Sequence, residues 1–412
     1  DIALMSDLEV LSMVDEDVKV DFGKFIREFN KSEYLVRIEQ KYSDHADYFN
    51  SSDHIHIPEY GIGFSVDGKY IPYFHPNRSF HNEVVYLNQN LYYNKDVTFA
   101  DKLINSALVK FYGPDQTMAL ITGHADLRYL KKTDWSYVNY NELISNPEYE
   151  FTLMDNIEKA FAKKERIWGT TELRTSLQTE ARNHSRSHIS PIDKAYSPGE
   201  DVSNRKMRPS DMIFWVKHLT QTQWLDYYKT KPTMEESFNQ LTSVRGIGNY
   251  YGYHFSSNLA RMPEVGAPDL IEAEFSDKFE SLKNVNPSMS HGRIDENADY
   301  VMAGTGACIT LSKLFPKIRV DSKSAMRIIL AIRNHQEDFY GIAGNAEAEC
   351  HLKLASETGR FTTFGVEISC CQYSVFDRLR CDRGMALKRA QSPISQVTGK
   401  KQSHQIKTSS LF

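Results

Sequence analysis

Apolar side chains recur at three- and four-residue spacing along most of this chain, which is the period of an amphipathic α-helix. One such stretch lies before residue 48, and the spacing returns from Phe80 onward and largely persists. The clearest stripes are formed by Phe22, Phe25, Ile26 and Phe29, by Val84, Leu87 and Leu91, and by Leu103, Ile104, Leu108 and Phe111. The pattern predicts a mainly α-helical protein.

One segment near the N-terminus departs from the helical period. Residues 62–66 and 69–74 are two short runs rich in apolar and aromatic side chains, and Asp67-Gly68 separates them. Asp-Gly is favoured in the two-residue type I′ turn that connects antiparallel strands. The segment therefore predicts a small β-hairpin.

Two stretches lack apolar periodicity. Residues 183–209 combine turn residues with the basic run Arg205-Lys206-Met207-Arg208, so we expect an exposed connection or a substrate loop. Beyond residue 385 the chain is rich in Ser, Gln, Lys and Thr, and we expect disorder. These boundaries predict an N-terminal segment of residues 1–79, a helical domain of residues 80–384 and a basic tail of residues 385–412.

Composition excludes several classes of protein. The 412 residues are 41% hydrophobic and 25% charged, which argues against a disordered chain, a fibrous repeat or a multi-span membrane protein. The longest run without a charged residue covers only residues 246–260, short of the ~20 apolar residues that a membrane span needs. Five cysteines without a CxxC pair favour free thiols in a reducing compartment, so we expect a cytoplasmic protein. No zinc-finger spacing is present, and we expect neither a metal nor a cofactor.

Charge is unevenly distributed along the chain. The net charge is −5, but residues 378–412 carry eight bases and one acid, Asp382. A basic end on a mildly acidic protein fits either a local contact with a polyanion or a solvated tail.

Residues 241–260 carry the most informative motif. An apolar helix predicted to end at Val244 is followed by Gly246-Ile247-Gly248, and a second helix is predicted to begin near Asn249. This is the helix-hairpin-helix pattern, in which glycines allow a phosphate to approach and free N–H groups of the second helix bind it. Arg245 adds a cation beside the turn, although an ordinary tight turn between two helices remains the alternative.

A second glycine pair precedes another predicted helix. Gly304-Thr305-Gly306 comes before the helical residues 309–315, which makes it a second candidate anion cradle. Further on, Glu367 lies on an apolar helix, on the face of Cys370 or Cys371 and Ser374. A carboxylate in that position has to be either paired or functional. Arg378 or Arg380 is a possible structural partner.

These elements, in this order, resemble a helical family found in the thymine-hypermodification systems of bacteriophages. The family comprises the helical domain of 5-hydroxymethyluracil DNA kinases and the related amino acid:DNA transferases, once called α-glutamyl/putrescinyl thymine pyrophosphorylases. It is itself related to helix-hairpin-helix DNA glycosylases, so the resemblance implies a glycosylase-like helical fold. The matching stretches are residues 80–91, 99–103, 110–117, 244–248, 303–307 and 366–369.

The resemblance implies a substrate and a set of roles. The substrate is double-stranded DNA with a pyrophosphorylated 5-hydroxymethyluracil, and an amine from an amino acid or polyamine displaces the pyrophosphate. The base would be flipped out of the duplex. Glu367 would act as the general base, while Asn258 and Gln372 would read base edges. The cations and N–H groups facing phosphate would come from Arg245, Gly246, Gly248, Asn249, Gly304, Thr305 and Gly306. If the chain is phage-encoded, it would act in the cytoplasm of the infected host.

The chain departs from the family at several positions where charged side chains are usual. Val85 stands where the family tends to have Arg, and Asn258 stands where it tends to have Asp. Gln372 and Val375 replace a Glu and a Lys, and Thr305 replaces a Pro. The alternatives are therefore a paralogue that has lost catalysis and kept DNA binding, or a DNA glycosylase. Asn258 in place of the catalytic Asp argues against the glycosylase.

Overall fold

The structure is a computed structural model that describes most of the 412 residues. The described residues are 2–33, 63–66, 69–72, 82–92, 94–113, 117–123, 136–165, 167–168, 175–265, 271–272, 293–294, 299–355 and 360–390. They are mainly α-helical, as the apolar spacing predicts. None of the described helices is both long and apolar enough to cross a membrane.

The elements follow one another in this order. The first are α1 (Asp7–Leu11), α2 (Glu16–Glu33), β1 (Gly63–Val66), β2 (Lys69–Pro72), α3 (Asn82–Leu87), α4 (Phe99–Tyr112), α5 (Thr117–Ile121), α6 (Tyr140–Ser145), α7 (Pro147–Ala162), α8 (Thr175–His188) and α9 (Pro191–Tyr196). They are followed by α10 (Asp211–Leu219), α11 (Leu225–Tyr228), α12 (Met234–Thr242), α13 (Asn249–Ala260), β3 (Ile271–Glu272), β4 (Arg293–Ile294), α14 (Thr305–Leu314), α15 (Ser322–Asn334), α16 (Gln336–Phe339), α17 (Ala346–Ala355) and α18 (Thr363–Ala390). Single π-helical turns, Asn88–Tyr92 and Thr220–Trp224, extend α3 and α10.

The chain divides into two compact units. Unit 1 contains residues 1–78, 274–285 and 299–411, and unit 2 contains residues 79–273, 286–298 and Phe412. The segment expected as one domain, residues 80–384, thus contributes to both units. The helices before residue 34 and after residue 299 belong to unit 1, and α3 to α13 belong to unit 2.

The core of unit 1 is built where α2 meets the C-terminal helices. Phe22 packs edge-on against Tyr340 and Tyr373, with ring centroids 5.5 and 5.0 Å apart. Phe25 contacts Phe376, also from α18, at 5.0 Å. The Phe22, Phe25 and Ile26 stripe predicted from the sequence is fully buried, because it faces these aromatic rings.

Unit 2 is organised around α4. The helix starts at a capping box between Thr98 and Asp101 and ends at Gly113, whose φ is +92°. Every residue from Asp101 to Tyr112 is buried, so α4 has neighbours on all sides. Phe111 lies between Trp215 and Phe255, with ring centroids 6.2 and 5.4 Å away. The apolar core of unit 2 therefore joins α4 to α10 and α13.

Residues 183–209, where we expected an exposed connection or a substrate loop, are helical in part, and many of them are exposed. Helix α8 continues to His188, and α9 begins two residues after Ile189, with Ser190 as its N-cap and proline at its first position. Arg205 and Arg208 each donate to the fully buried Asp193 at 3.0 Å, and Arg205 also donates to the buried Asp211 at 3.0 Å. The bases that suggested an exposed segment instead neutralise two buried carboxylates.

Strands β1 and β2 pair antiparallel, with Gly63 opposite Pro72 and Val66 opposite Lys69. Asp67-Gly68 lies outside the described residues, so the type I′ turn stays a prediction. Strands β3 and β4 form a second antiparallel pair. Helix α18 continues to Ala390, past residue 385 where we expected disorder to begin, and residues 391–412 lie outside the described part.

Candidate functional site

Two helices of unit 2 flank the glycine turn, which we define as residues 243–248. Helix α12 ends at Thr242 and α13 begins at Asn249. The two helices touch at Gly252, where a Cβ would lie only 2.6 Å from Cγ2 of Thr242. Because no other side chain fits there, Gly252 fixes the close approach of α12 and α13.

A third helix holds the conformation of the turn. Gly246 has a φ of +92°, in the left-handed region that favours glycine. A Cβ at Gly246 would lie 2.7 Å from Cγ of Glu180 on α8. Ser176, also on α8, donates from its hydroxyl to the carbonyl of Gly246 at 3.0 Å. Helix α8 therefore braces the turn on the side of Gly246.

The opposite side of the turn is open. Gly248 is the N-cap of α13, and a Cβ there would meet no atom of the described residues within 4 Å. The side chain of Arg245 is 86% exposed, with Nε 3.1 Å from Oε1 of Glu180. An exposed helix N-terminus next to an exposed guanidinium is suited to a phosphate, because the first backbone N–H groups of a helix have no partner within the helix.

The second glycine turn, residues 303–306 in unit 1, differs from the first. The backbone N–H of Gly304 donates to Oε1 of Glu367 at 2.9 Å, so the chain's own carboxylate already binds at the start of α14. A Cβ at Gly306 would lie 2.8 Å from Sγ of Cys371. Thr305, between the two glycines, is exposed. The structure thus gives the buried Glu367 a partner other than an arginine, the N-terminus of a helix.

The cysteines beside Glu367 are poor nucleophiles. Burial raises the pKa of the Cys371 thiol to about 12, and the nearby charge of Glu367 adds to the increase. Burial also raises the pKa of Cys370 well above its ordinary value. Both thiols therefore stay protonated at neutral pH.

The three residues that the resemblance implies for catalysis do not fall in one unit. Glu367 and Gln372 belong to unit 1, whereas Asn258 belongs to unit 2. Gln372 is buried on α18, and its Oε1 has no hydrogen-bond partner among the described residues. Asn258 is fully buried on α13, where its Nδ2 donates to Oε1 of Glu83.

Asn258 belongs to a group of neighbouring polar residues that were not predicted from the sequence. Glu83 on α3 also accepts a hydrogen bond from Nζ of Lys110 on α4, at 3.3 Å. Lys110 in turn lies 5.9 Å from the ring centroid of Tyr250, and Tyr250 stacks on His254 with centroids 4.2 Å apart. We call Glu83, Lys110, Tyr250, His254 and Asn258 the polar seam.

The seam connects the surface of unit 2 to its interior. Tyr250, His254 and Asn258 occur at every fourth position of α13 and so share one face. Tyr250 is 38% exposed, His254 is half-buried and Asn258 is fully buried. The available sequence signal was on α4, where the apolar stripe of the helix is accompanied by two lysines, Lys102 and Lys110, that are both buried.

A histidine cluster lies elsewhere in unit 2. The ring centroids of His184 on α8 lie 4.3 Å from His188 and 4.5 Å from His218. Burial and the two neighbouring imidazoles lower the pKa of His184 to about 4. Within the described residues, no three His, Cys, Asp or Glu side chains are arranged to hold a metal ion.

No family model, no curated protein and no solved structure matches this chain. Its function therefore has to be inferred from its own residues and geometry.

Proposed function

We propose that this protein binds DNA through the glycine turn and modifies a thymine-derived base. The reaction would replace the pyrophosphate of a pyrophosphorylated 5-hydroxymethyluracil with an amine, from an amino acid or a polyamine. One observation carries the proposal, namely the open N-terminus of α13 beside the exposed Arg245. The comparable position at Gly304 is taken by Glu367, so the two glycine turns have different roles.

We expect DNA to be bound through a few contacts at the glycine turn. The net charge of −5 opposes a general attraction to DNA, so affinity has to come from a few well-placed contacts. Gly248 and Asn249 supply backbone N–H groups, and Arg245 supplies a cation that can exchange Glu180 for a DNA phosphate.

The proposed reaction is a substitution at the 5-methylene carbon of the base. The lone pair of the neutral amine forms the new C–N bond while the C–O bond to pyrophosphate breaks, and its electron pair leaves with the oxygen. The amine enters as an ammonium ion and gives up a proton to a base, and the product is a secondary ammonium ion plus pyrophosphate. The reaction needs no oxidant, reductant or metal for its balance.

The second candidate is a DNA-binding protein without this activity. It is favoured by the neutral side chains of Asn258, Gln372, Val85 and Val375 at positions where the related family is charged. A helix-hairpin-helix glycosylase is a third, less favoured candidate, and release of a free base from modified DNA would support it.

Nucleoside mass spectrometry separates these candidates. DNA carrying the pyrophosphorylated base is incubated with the protein and a pool of amino acids and polyamines, then digested to nucleosides. A new nucleoside that combines the base with an amine is the expected result, and it identifies the donor. Unchanged nucleosides from a preparation that binds the same DNA would instead establish the non-catalytic binding protein.

A pair of glycine variants tests the interface itself. Gly248→Ala adds a methyl group on the open side, so we expect weaker DNA binding and a loss of stability of at most about 1 kcal/mol. Gly246→Ala places a Cβ against Glu180 at a positive φ, and we expect it to cost roughly 1–3 kcal/mol of stability. Wild-type DNA affinity in Gly248→Ala would contradict a phosphate contact at this turn.

A further inference from the structure

We propose that the polar seam of unit 2, and not Glu367, is the reaction centre. In this assignment Glu83 takes the proton of the incoming amine, Lys110 faces the leaving pyrophosphate and Tyr250 stacks on the extrahelical base. Asn258 is a positioning residue, because its amide holds Glu83. This inference rests on the proposed function and names the residues that would carry it out.

The Glu83–Lys110 ion pair is buried at a cost in free energy. The two side chains are 17% and 7% exposed, so both charges are largely removed from water. Burying an ion pair usually costs as much as its attraction returns, and apolar side chains of similar size often serve stability equally well. A buried ion pair that stability does not require is a candidate for chemistry.

Burial alone does not distinguish this pair. Lys217 and Glu150 form a comparable pair in the same unit, with 17% and 8% exposure and a 2.8 Å contact. The difference is location, since Lys110 contacts the partly exposed ring of Tyr250. Only the Glu83–Lys110 pair is part of the polar seam, which begins next to the glycine turn.

Helix α13 joins the glycine turn to the polar seam. Its N-terminus is the proposed phosphate contact, and Tyr250 follows Gly248 by two residues. Tyr250 is therefore within one helical turn, ~5 Å along the axis, of the N–H groups that would bind the DNA backbone. A base leaving the duplex at that phosphate would meet an aromatic ring first and the Glu83–Lys110 pair beyond it. Aromatic stacking is how proteins commonly hold an unstacked base.

The two charged side chains of the seam match the two needs of the proposed reaction. The reaction needs a carboxylate for the ammonium proton and a cation for the charge that develops on pyrophosphate. Glu83 and Lys110 supply one of each, 3.3 Å apart. Oε1 of Glu367 instead accepts the N–H of Gly304 in the other unit. Glu83 would release its proton to solvent after each transfer, so the cycle closes without another reactant.

Single-turnover nucleoside mass spectrometry on matched variants tests the assignment. Glu83→Gln should lower the rate of amine transfer by about 100-fold or more, while DNA affinity stays within a few-fold of wild type. The residual rate should rise steeply with pH, because the amine must then arrive already deprotonated. Glu150→Gln, which breaks the comparable pair on α7, should transfer at the wild-type rate with the wild-type pH profile.

A substitution at a partly exposed residue tests the assignment even if Glu83→Gln does not fold. Tyr250 is partly exposed, so Tyr250→Ala should fold, and losing a stacking platform should weaken use of the DNA substrate by about 5- to 150-fold. Tyr250→Phe keeps the ring, so it should lose less transfer activity than Tyr250→Ala.

The outcomes separate the two proposals. Wild-type transfer by Glu83→Gln or by Tyr250→Ala would overturn the seam assignment and leave the proposed function standing. If Glu367→Gln lost transfer activity while Glu83→Gln kept it, the seam assignment would also be overturned. Glu367 would then be the general base. Absence of transfer by the wild-type protein would overturn both.

Discussion

His184 shows how a single residue can link stability to pH. Its pKa in the folded protein is about 4, below its ordinary value of 6.5, because it is half-buried beside His188 and His218. The folded state therefore disfavours the protonated imidazole, whereas the unfolded chain accepts the proton as the pH falls below about 6.5. The contribution of His184 to the free energy of unfolding is therefore complete above about pH 6.5 and falls as the pH decreases to about 4.

The corresponding prediction compares His184 with an uncharged replacement. We expect urea unfolding to show that the wild-type protein loses stability between pH 7.5 and pH 5, and that His184→Asn loses less. The replacement lowers stability at both pH values because it removes the ring contacts with His188 and Phe214. If both proteins lost the same stability between pH 7.5 and pH 5, groups other than His184 would cause the acid sensitivity.

The residues of the candidate sites differ in how far the sequence could reveal them. The glycines and Arg245 of the turn were identifiable because they lie together in the chain. The partner of Glu367 was not, because the N–H of Gly304 is far away in sequence and a backbone group has no signature of its own. The same applies to Glu83, whose contacts with Lys110 and Asn258 form only after three helices have packed.

At the scale of elements, helices with an apolar stripe were predictable and helices held by ion pairs were not. Both α2 and α4 carry their own spacing signal, and both are present. Helix α9 is only six residues long, and it depends on Asp193 being neutralised by Arg205 and Arg208. Sequence periodicity contains no information about such a network, so its bases suggested an exposed loop.

Removing Asp193 should therefore destabilise unit 2. The substitution Asp193→Ala leaves two arginines facing a buried position, and breaking a buried network from one side typically costs about 3–5 kcal/mol. Chemical denaturation of the variant measures this loss. The matched control is Asp226→Ala, which breaks an exposed pair with Lys229 and should cost about 1 kcal/mol or less. Similar midpoints for the two variants would mean that the Asp193 network contributes little.

At the scale of the whole molecule, the division into units follows from contacts that the order of residues does not show. The helices after residue 299 group with the N-terminal segment, so a unit is assembled from distant parts of the chain. Apolar spacing identifies each helix but not the helix against which it packs. A contiguous domain of residues 80–384 was the simplest interpretation of the pattern. The pattern does not show that the helices after residue 299 belong to the same unit as the N-terminal helices.

Charge is the other whole-molecule property, and it leads to the last prediction. Residues 391–412 carry Lys400, Lys401 and Lys407 and no acid, so a chain ending at residue 390 has a net charge of −8 instead of −5. If the tail contacts DNA, each lysine that neutralises a phosphate adds about 0.9 to the slope of log affinity against log salt. We therefore expect truncation to reduce that slope by up to about 3, measured by titrating fluorescent duplex DNA at several salt concentrations.

Arg245→Ala should reduce the slope by about 1, and the two reductions should add if the tail and the glycine turn contact separate phosphates. An unchanged slope after truncation would identify the tail as a solvated segment, and the glycine turn would then remain as the proposed contact with DNA.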